Sequence, residues 1–145
     1  MNTDFDFIVT TTPDGISKAR EIRLEVFVEE QGIPAHLDPD GRDDSAFHVL
    51  CYKGDSVVAT GRLVADEDGQ GVLARIAVRS AYRGFGLGRR VVQKLESVAA
   101  EKGLAQLSLQ PHAYLEEFYA SLGYHTVPGE EMVGAHALIT MEKSI

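Results

Sequence analysis

Three glycines and one arginine within six residues form the segment best suited to bind a phosphate group. The segment reads Arg83-Gly84-Phe85-Gly86-Leu87-Gly88, and it precedes a helical pattern in which apolar residues recur every three or four positions. Glycine lets backbone N–H groups approach a ligand closely, and the first N–H groups of a helix are unpaired donors in a positive dipole. Arg83 adds a charge that can pair with a phosphate oxygen. The segment therefore predicts a site for a phosphate or pyrophosphate.

Two familiar nucleotide-binding patterns do not fit this segment. A P-loop closes with glycine, lysine and serine or threonine, whereas Gly88 is followed by Arg89 and Arg90. The dinucleotide pattern G-x-G-x-x-G would need glycine at position 89. A glycine-rich turn that only joins a strand to a helix remains the alternative without a ligand.

The segments before and after the glycine loop predict the elements that position it. Apolar and alternating runs predict strands at residues 5–10, 46–52, 57–64, 72–78, 105–110, 124–127 and 135–142. Helical periodicity predicts a helix that starts at Thr12 or Asp14 and ends before Gly32, a long helix that ends at Gly103, and a short helix over residues 113–122. This order indicates an α/β (α+β) domain with a mixed, largely antiparallel sheet and helices packed on it. The strand–helix–strand unit over residues 72–110 is expected to be parallel and right-handed.

Composition narrows the classes of protein. A chain of 145 residues predicts a single domain, 1–145, and its net charge of −8 argues against a nucleic-acid partner. No apolar run approaches the ~20 residues of a membrane span, and the first residues do not resemble a signal peptide. The single Cys51 fits a reducing cytoplasm. Five scattered histidines show no metal-ligand spacing. We therefore expect a cytoplasmic protein without a membrane partner and without a metal.

The glycine loop and a second motif resemble those of the GCN5-related N-acetyltransferases (GNAT). The loop resembles that family's acyl-CoA signature [QR]-x-x-G-x-[GA], and the segment Phe118-Tyr119-Ala120-Ser121-Leu122-Gly123-Tyr124 resembles its F-Y-x-x-x-G-[FY] segment. An N-terminal stretch, Glu25-Val26-Phe27-Val28-Glu29-Glu30-Gln31, is similar to the V-F-V-x-E-Q stretch of a small bacterial branch. The motifs cover most of the chain in the family's order. The resemblance implies six to seven strands, about four helices and two parallel strands that splay apart around an acyl thioester.

The resemblance also implies a set of residues for acetyl-CoA as acyl donor. Backbone groups before the loop would align the thioester, with the Val78 N–H as oxyanion donor, and the loop would bind the pyrophosphate. Tyr119 would lie near the CoA sulfur as a proton donor, although its apolar helix face equally suits a core aromatic. Gln110 would bond the pantetheine arm, with a plain strand-end residue as the alternative. The implied cofactor-binding residues are Ile76, Ala77, Val78, Arg83, Gly84, Phe85, Gly86, Leu87, Gly88, Arg89, Gln110 and Tyr119.

Acyl transfer to an amine also needs a group that accepts the amine's proton. Glu30 ends an apolar helix face, His48 lies within a strand, and His112 follows a strand's carboxyl end. An exposed helix-end glutamate and a histidine bonded within the sheet are the structural alternatives, and a water chain could replace all three residues. The histidines without a matching context are His36, His125 and His136.

We expect an N-acetyltransferase that uses acetyl-CoA and a small amine or peptide amine, with a homodimer as one possible assembly. A non-catalytic acyl-CoA-binding or sensor module on the same fold is the alternative. Residues 31–44 and 127–135 are expected to select the acceptor, because connecting segments carry specificity. The acidic residues of the first segment could receive a cationic amine, although a solvated acidic loop is the plainer interpretation; they are Asp38, Asp40, Asp43 and Asp44.

Overall fold

One mixed sheet runs through the protein. The structure, a computed structural model, describes residues 4–66, 68–133 and 135–145. Within these residues, seven strands pair in the order β1-β2-β3-β4-β5-β7-β6, and all neighbours are antiparallel except β4 and β5. The strands are β1 (Phe5–Thr10), β2 (Phe47–Lys53), β3 (Ser56–Ala65), β4 (Gln70–Val78), β5 (Gln106–Leu109), β6 (His125–Val133) and β7 (His136–Ser144).

Helices cover both faces of this sheet. Helix α1 (Pro13–Arg23) starts at Thr12, whose hydroxyl accepts the Gly15 N–H at 3.0 Å. A π-helical segment, Leu24–Glu30, continues α1. Helices α2 (Leu87–Glu101) and α3 (Glu116–Ala120) follow in the second half of the chain. In the described residues this makes three α-helices and one π-helical segment, close to the number that the resemblance implied.

Helix α2 forms the larger core because its apolar stripe faces the sheet. The stripe is fully buried at Val91, Leu95 and Ala99 and packs on β2, β3 and β4. Gly61 of β3 lets the helix approach, since a Cβ there would lie 2.5 Å from a methyl carbon of Val91. Helix α1 covers the other face with a separate cluster of Ile22, Val26 and Ala77.

The two parallel strands stay paired for only part of their length. Their register ends at Leu73 and Leu109, while β4 continues to Val78. Just beyond Leu73 the pairing of β4 with β3 shifts, and Arg75 takes a φ of +57°. A register shift with such a residue bends the strand. From this point β4 continues without pairing to β5, in agreement with the expected splay.

The strand predictions are confirmed, and one connecting segment is corrected. Residues 127–133 were expected to form part of a loop, but β6 extends to Val133. Pro128 and Gly129 resemble a turn in the sequence, whereas they lie where the β6–β7 register shifts, with a φ of +134° at Gly129. A bulge absorbs the extra residues, so the strand continues. In the part of the chain that the structure describes, no helix is long and apolar enough to span a membrane.

Candidate active site

The diverging ends of β4 and β5 enclose a cleft of about 300 Å³. One wall consists of β4 residues 73–76, and the other consists of β5 and the residues after it, including Gln110 and His112. Tyr119 of α3 and Phe27 of the π-helical segment also line the cleft. Two predicted cofactor residues, Ile76 and Gln110, and two predicted catalytic residues, His112 and Tyr119, therefore meet in one place.

The glycine loop opens the start of α2 to solvent. Gly84 and Gly86 have φ values of +90° and +74°, and a Cβ at either position would meet no atom within 4 Å. Gly86 precedes the first residue of α2, and no described side chain caps the helix there. The N–H groups of the first turn are consequently available to an anion. Of the other predicted loop residues, Leu87 is buried, whereas Phe85 is 52% exposed and packs on Phe5.

The backbone at the end of β4 has one N–H group that is directed away from β3. The Arg79 N–H donates to the Val58 carbonyl of β3 at 2.9 Å. Successive N–H groups along a strand point to opposite sides, so the Val78 N–H points away from β3. Ala77 packs its methyl group against α1 and lies in the same stretch of strand.

Arg83 and Glu30 bind each other instead of facing a ligand separately. Arg83 Nη2 donates to Glu30 Oε1 at 2.7 Å, Nη1 donates to Oε2, and Nε donates to the Val78 carbonyl at 3.0 Å. Hydrogen bonds from Arg83 lower the pKa of Glu30. A carboxylate in this state is a weak base at neutral pH. Arg89 makes a different contact, since its Nη2 donates to the Ser121 hydroxyl at 3.3 Å.

Tyr119 keeps its phenolic proton at any ordinary pH. Its side chain is buried and touches the rings of Phe118 and Tyr124. Burial raises the pKa of Tyr119 to about 12, because the phenolate would be poorly solvated. The side chain can therefore donate a proton or a hydrogen bond into the cleft.

The structure separates the two histidines that were predicted as bases. His48 is 0% exposed, its Nε2 bonds to the Asp43 carbonyl at 2.9 Å, and burial lowers its pKa. It lies in the interior and not on the cleft wall, so its burial does not favour a role as a base. His112 does line the cleft, and its pKa is lowered by burial and by the neighbouring His136.

The acidic segment after Gln31 is held by arginines. Asp43, which is 4% exposed, accepts bonds from Arg23 and Arg62 at 3.0 Å, and Asp38 accepts bonds from Arg23 and Arg75. Asp40 binds Arg62 as well. The interpretation as a solvated acidic loop was therefore wrong for the buried Asp43 and the half-buried Asp38, whereas Asp40 is exposed and also bound to Arg62. The arginines that bind them lie on α1, β3 and β4, and their side chains are brought together only by the fold.

Sequence reasoning also missed two residues beside His112. Gln31 Oε1 lies 3.1 Å from His112 Nε2, and the Gln31 carbonyl lies 2.9 Å from His136 Nε2. His136 had no informative context in the sequence because its neighbour in the sheet is distant in the chain. The pairing of β5 with β7 places His136 beside the residues that follow β5. Among the described side chains, no group of three or more His, Cys, Asp or Glu residues is arranged to hold a metal ion.

Comparisons with known proteins agree with this fold. The model of the acetyltransferase (GNAT) family matches residues 16–124. The uncharacterised N-acetyltransferase YjcF of Bacillus subtilis (strain 168) is 30% identical over 128 residues, which are 88% of this chain and 91% of that protein. A provisionally named acetyltransferase of the same organism is 36% identical over 137 residues, covering 91% of this chain and 92% of that one.

Solved structures extend the likeness to the whole fold. An acyl-CoA N-acyltransferase from Pseudomonas aeruginosa has a TM-score of 0.86 and 26% identity, covering 96% of this chain and 99% of that chain. Escherichia coli ElaA has a TM-score of 0.86 and 25% identity, with the same shares covered. The sheet with its splayed strands is shared with these structures, and the matched family and the named relatives indicate the acyltransferase class. The chain belongs to the acetyltransferase (GNAT) family.

Proposed function

We propose that this protein transfers the acetyl group of acetyl-CoA to a primary amine of a small molecule or peptide. The observation that carries the proposal is the cleft between β4 and β5, which is lined by Tyr119 of α3, together with the uncapped start of α2, which lies beside α3. An extended thioester needs both features, since its acyl end must be enclosed while its pyrophosphate needs N–H donors.

The glycine loop would hold the pyrophosphate through its backbone. The N–H groups of residues 84–89 lie at the start of α2, where the helix dipole favours negative charge, while the Arg83 N–H donates to the Ser80 carbonyl at 3.3 Å. Because the Arg83 side chain is bound to Glu30, it supports the loop from the side in this structure. The predicted contact of the Arg83 guanidinium with phosphate would require this ion pair to open.

The end of β4 would hold the thioester. Beyond Leu73, the described part of β5 no longer pairs with β4, so backbone groups of residues 74–78 can bond the pantetheine arm and the acyl group. The Val78 N–H, directed away from β3, is the proposed donor to the oxyanion. Gln110 on the opposite wall is the proposed side-chain partner of the pantetheine arm.

The reaction would proceed by direct attack of the amine. A neutral amine nitrogen forms a bond to the thioester carbon, and the C–S bond breaks with its electron pair on sulfur. The sulfur takes a proton to become the CoA thiol, and the nitrogen loses one as the amide forms. Tyr119 suits the role of donor to sulfur because it remains protonated. His112 is the proposed proton acceptor, since Glu30 is paired with Arg83 and His48 is buried.

Ligand-dependent unfolding tests the proposal first. Acetyl-CoA and CoA at 100 times their dissociation constants should stabilise the fold by ~2.7 kcal/mol, which raises Tm by several degrees. ATP and NAD at equal concentration should leave Tm unchanged. Thiol release with a panel of primary amines then measures transfer. Stabilisation by CoA without turnover on any amine would favour the acyl-CoA-binding module, and no stabilisation by CoA would contradict both functions.

A further inference from the structure

Gln31 binds two histidines that line the cleft. Its side-chain oxygen bonds His112 Nε2 at 3.1 Å, and its backbone carbonyl bonds His136 Nε2 at 2.9 Å. The two imidazole rings lie edge to face with centroids 4.9 Å apart. The three residues come from the end of the π-helical segment, the residues after β5 and the start of β7.

These contacts decide which nitrogen of each ring carries the proton. A carbonyl oxygen only accepts hydrogen bonds, so Nε2 of His136 must donate. In the orientation that the structure shows, the amide oxygen of Gln31 likewise accepts a hydrogen bond from Nε2 of His112. In a neutral imidazole, one nitrogen carries the proton and the other holds a lone pair. Both rings are thereby left with Nδ1 as the nitrogen that can take up a proton.

We propose that His112 and His136 form a paired proton acceptor for the amine and that Gln31 is its positioning residue. The kinetic part of this inference rests on the proposed function. An amine that enters as an ammonium ion gives one proton to Nδ1 of the pair, and the proton then passes to solvent. The neutral nitrogen attacks, and the proton that it loses afterwards balances the one taken up by sulfur.

The two imidazole rings lie close enough for their charges to interact. Two imidazolium rings with centroids 4.9 Å apart would repel each other, so protonation of one ring opposes that of the other. The other titratable side chains on the described cleft wall are Asp38, Arg75, Tyr119 and Glu131. Asp38 and Arg75 bind each other, Tyr119 is neutral, and Glu131 is exposed to water. Tyr114, which stacks on His112 with ring centroids 5.1 Å apart, is a further titratable side chain in contact with the pair.

The histidine tautomers can be measured without turnover. In protein with ¹⁵N-labelled histidine, imidazole nitrogen shifts at pH 8 should show Nε2–H on both His112 and His136. Gln31→Ala should convert a substantial fraction of His112 to the Nδ1–H form. It should leave His136 unchanged, since that ring is held by the backbone. Nδ1–H as the main form of either ring in the wild type, or an unchanged His112 in Gln31→Ala, would overturn the positioning role.

Kinetics tests proton transfer separately. His112→Gln and His136→Gln keep a donor near the position of Nε2 but remove the basic nitrogen, and each should lower kcat/KM at pH 7 by about 10²-fold or more. Gln31→Glu should raise the pKa of His112 and move the acid limb of the kcat/KM profile to higher pH, whereas Gln31→Ala should lower kcat/KM about tenfold. His125→Gln, on the exposed part of β6, is the matched control.

The kinetic outcomes separate this inference from the proposed function. If the wild type acetylates amines and both histidine variants retain full kcat/KM, the paired acceptor is wrong while the proposed function stands. If the wild type turns over no amine, the proposed function fails. In that case, a ¹⁵N pH titration still tests whether the two histidines act as a pair. Independent uptake of one proton by each of His112 and His136 would contradict the coupling.

Discussion

Arg83 and Glu30 lie 53 positions apart in the sequence and bind each other through two parallel hydrogen bonds. The contact joins the glycine loop to the end of the π-helical segment. Both side chains remain partly exposed, at 43% and 39%. One residue was predicted to bind phosphate and the other to accept a proton, and the pairing alters the expected role of each.

Replacement of Glu30 should have a small effect on turnover. Glu30→Gln removes a carboxylate whose pKa is already lowered by Arg83, so kcat should fall less than tenfold. The free energy of unfolding should change by less than ~1 kcal/mol, because exposed ion pairs contribute little. Steady-state kinetics and thermal unfolding measure the two effects. A 100-fold loss of kcat with unchanged CoA affinity would instead make Glu30 the base.

Substitution of Gly86 should weaken CoA binding more than it weakens the fold. Gly86→Ala places a Cβ at a φ of +74°, which costs about 1–2 kcal/mol, and puts that Cβ where the pyrophosphate would lie. Gly54→Ala, at a φ of +62° in the β2–β3 turn and with equally open surroundings, is the matched control. Calorimetry should show at least tenfold weaker CoA binding for Gly86→Ala only. Equal affinities in the two variants would exclude the loop as the pyrophosphate site.

Loss of the Tyr119 hydroxyl should lower turnover without lowering affinity. Tyr119→Phe should reduce kcat by about 10²-fold and leave the Kd of acetyl-CoA within twofold, because proton donation acts in the transition state. Since the pKa of Tyr119 is about 12, ionisation of this residue should not lower kcat at any pH below about 11. Tyr124→Phe is the control. The Tyr124 hydroxyl donates to Glu96 at 2.8 Å, and neither residue lines the cleft. The control substitution should lower the free energy of unfolding by about 1 kcal/mol and leave kcat unchanged. If the two variants have the same kcat, Tyr119 has a packing role only.

The aspartate–arginine cluster should make the fold sensitive to acid. Burial alone would raise the pKa of Asp43, but bonds from Arg23 and Arg62 hold it well below its ordinary value, and Asp40 is lowered to about 2. A carboxyl group whose pKa is lower in the folded than in the unfolded state stabilises the fold, and this stabilisation is complete at pH values above the ordinary pKa of the group. The stabilisation is lost as pH falls from about 4 through the folded-state values.

Asp43→Asn tests this cluster directly. It should lower the free energy of unfolding at pH 7 by about 3 kcal/mol, since Arg23 and Arg62 are buried and lose a charged partner. The difference from wild type should shrink below pH 4 in denaturant unfolding. Asp14→Asn, which affects only the exposed pair with Lys18, should change stability by less than ~0.5 kcal/mol. A constant difference between pH 7 and pH 3 would show that the Asp43 charge does not cause the acid sensitivity.

Local physical rules account for the elements that could be read directly from the chain. The period of apolar residues marks α2, Thr12 caps α1, and Gly103 ends α2 with a φ of +75°. Each of these depends on a few neighbouring residues, so the sequence contains the whole cause. The glycine loop is a local feature for the same reason. The positive φ values of Gly84 and Gly86 agree with the glycines that the sequence places at these positions.

Contacts between distant segments required the tertiary structure. The pattern of apolar residues in β4 does not predict the positive φ of Arg75, because this φ accompanies the register shift in the pairing of β4 with β3. The strand order alone brings His136 beside His112, and Arg83 meets Glu30 only when the first helical region packs on the sheet. The sequence by itself determined the order of elements, the glycine loop and the tyrosine of α3. The fold decided which polar side chains neutralise one another and which remain in the cleft, because such pairing depends on distances that sequence spacing does not contain.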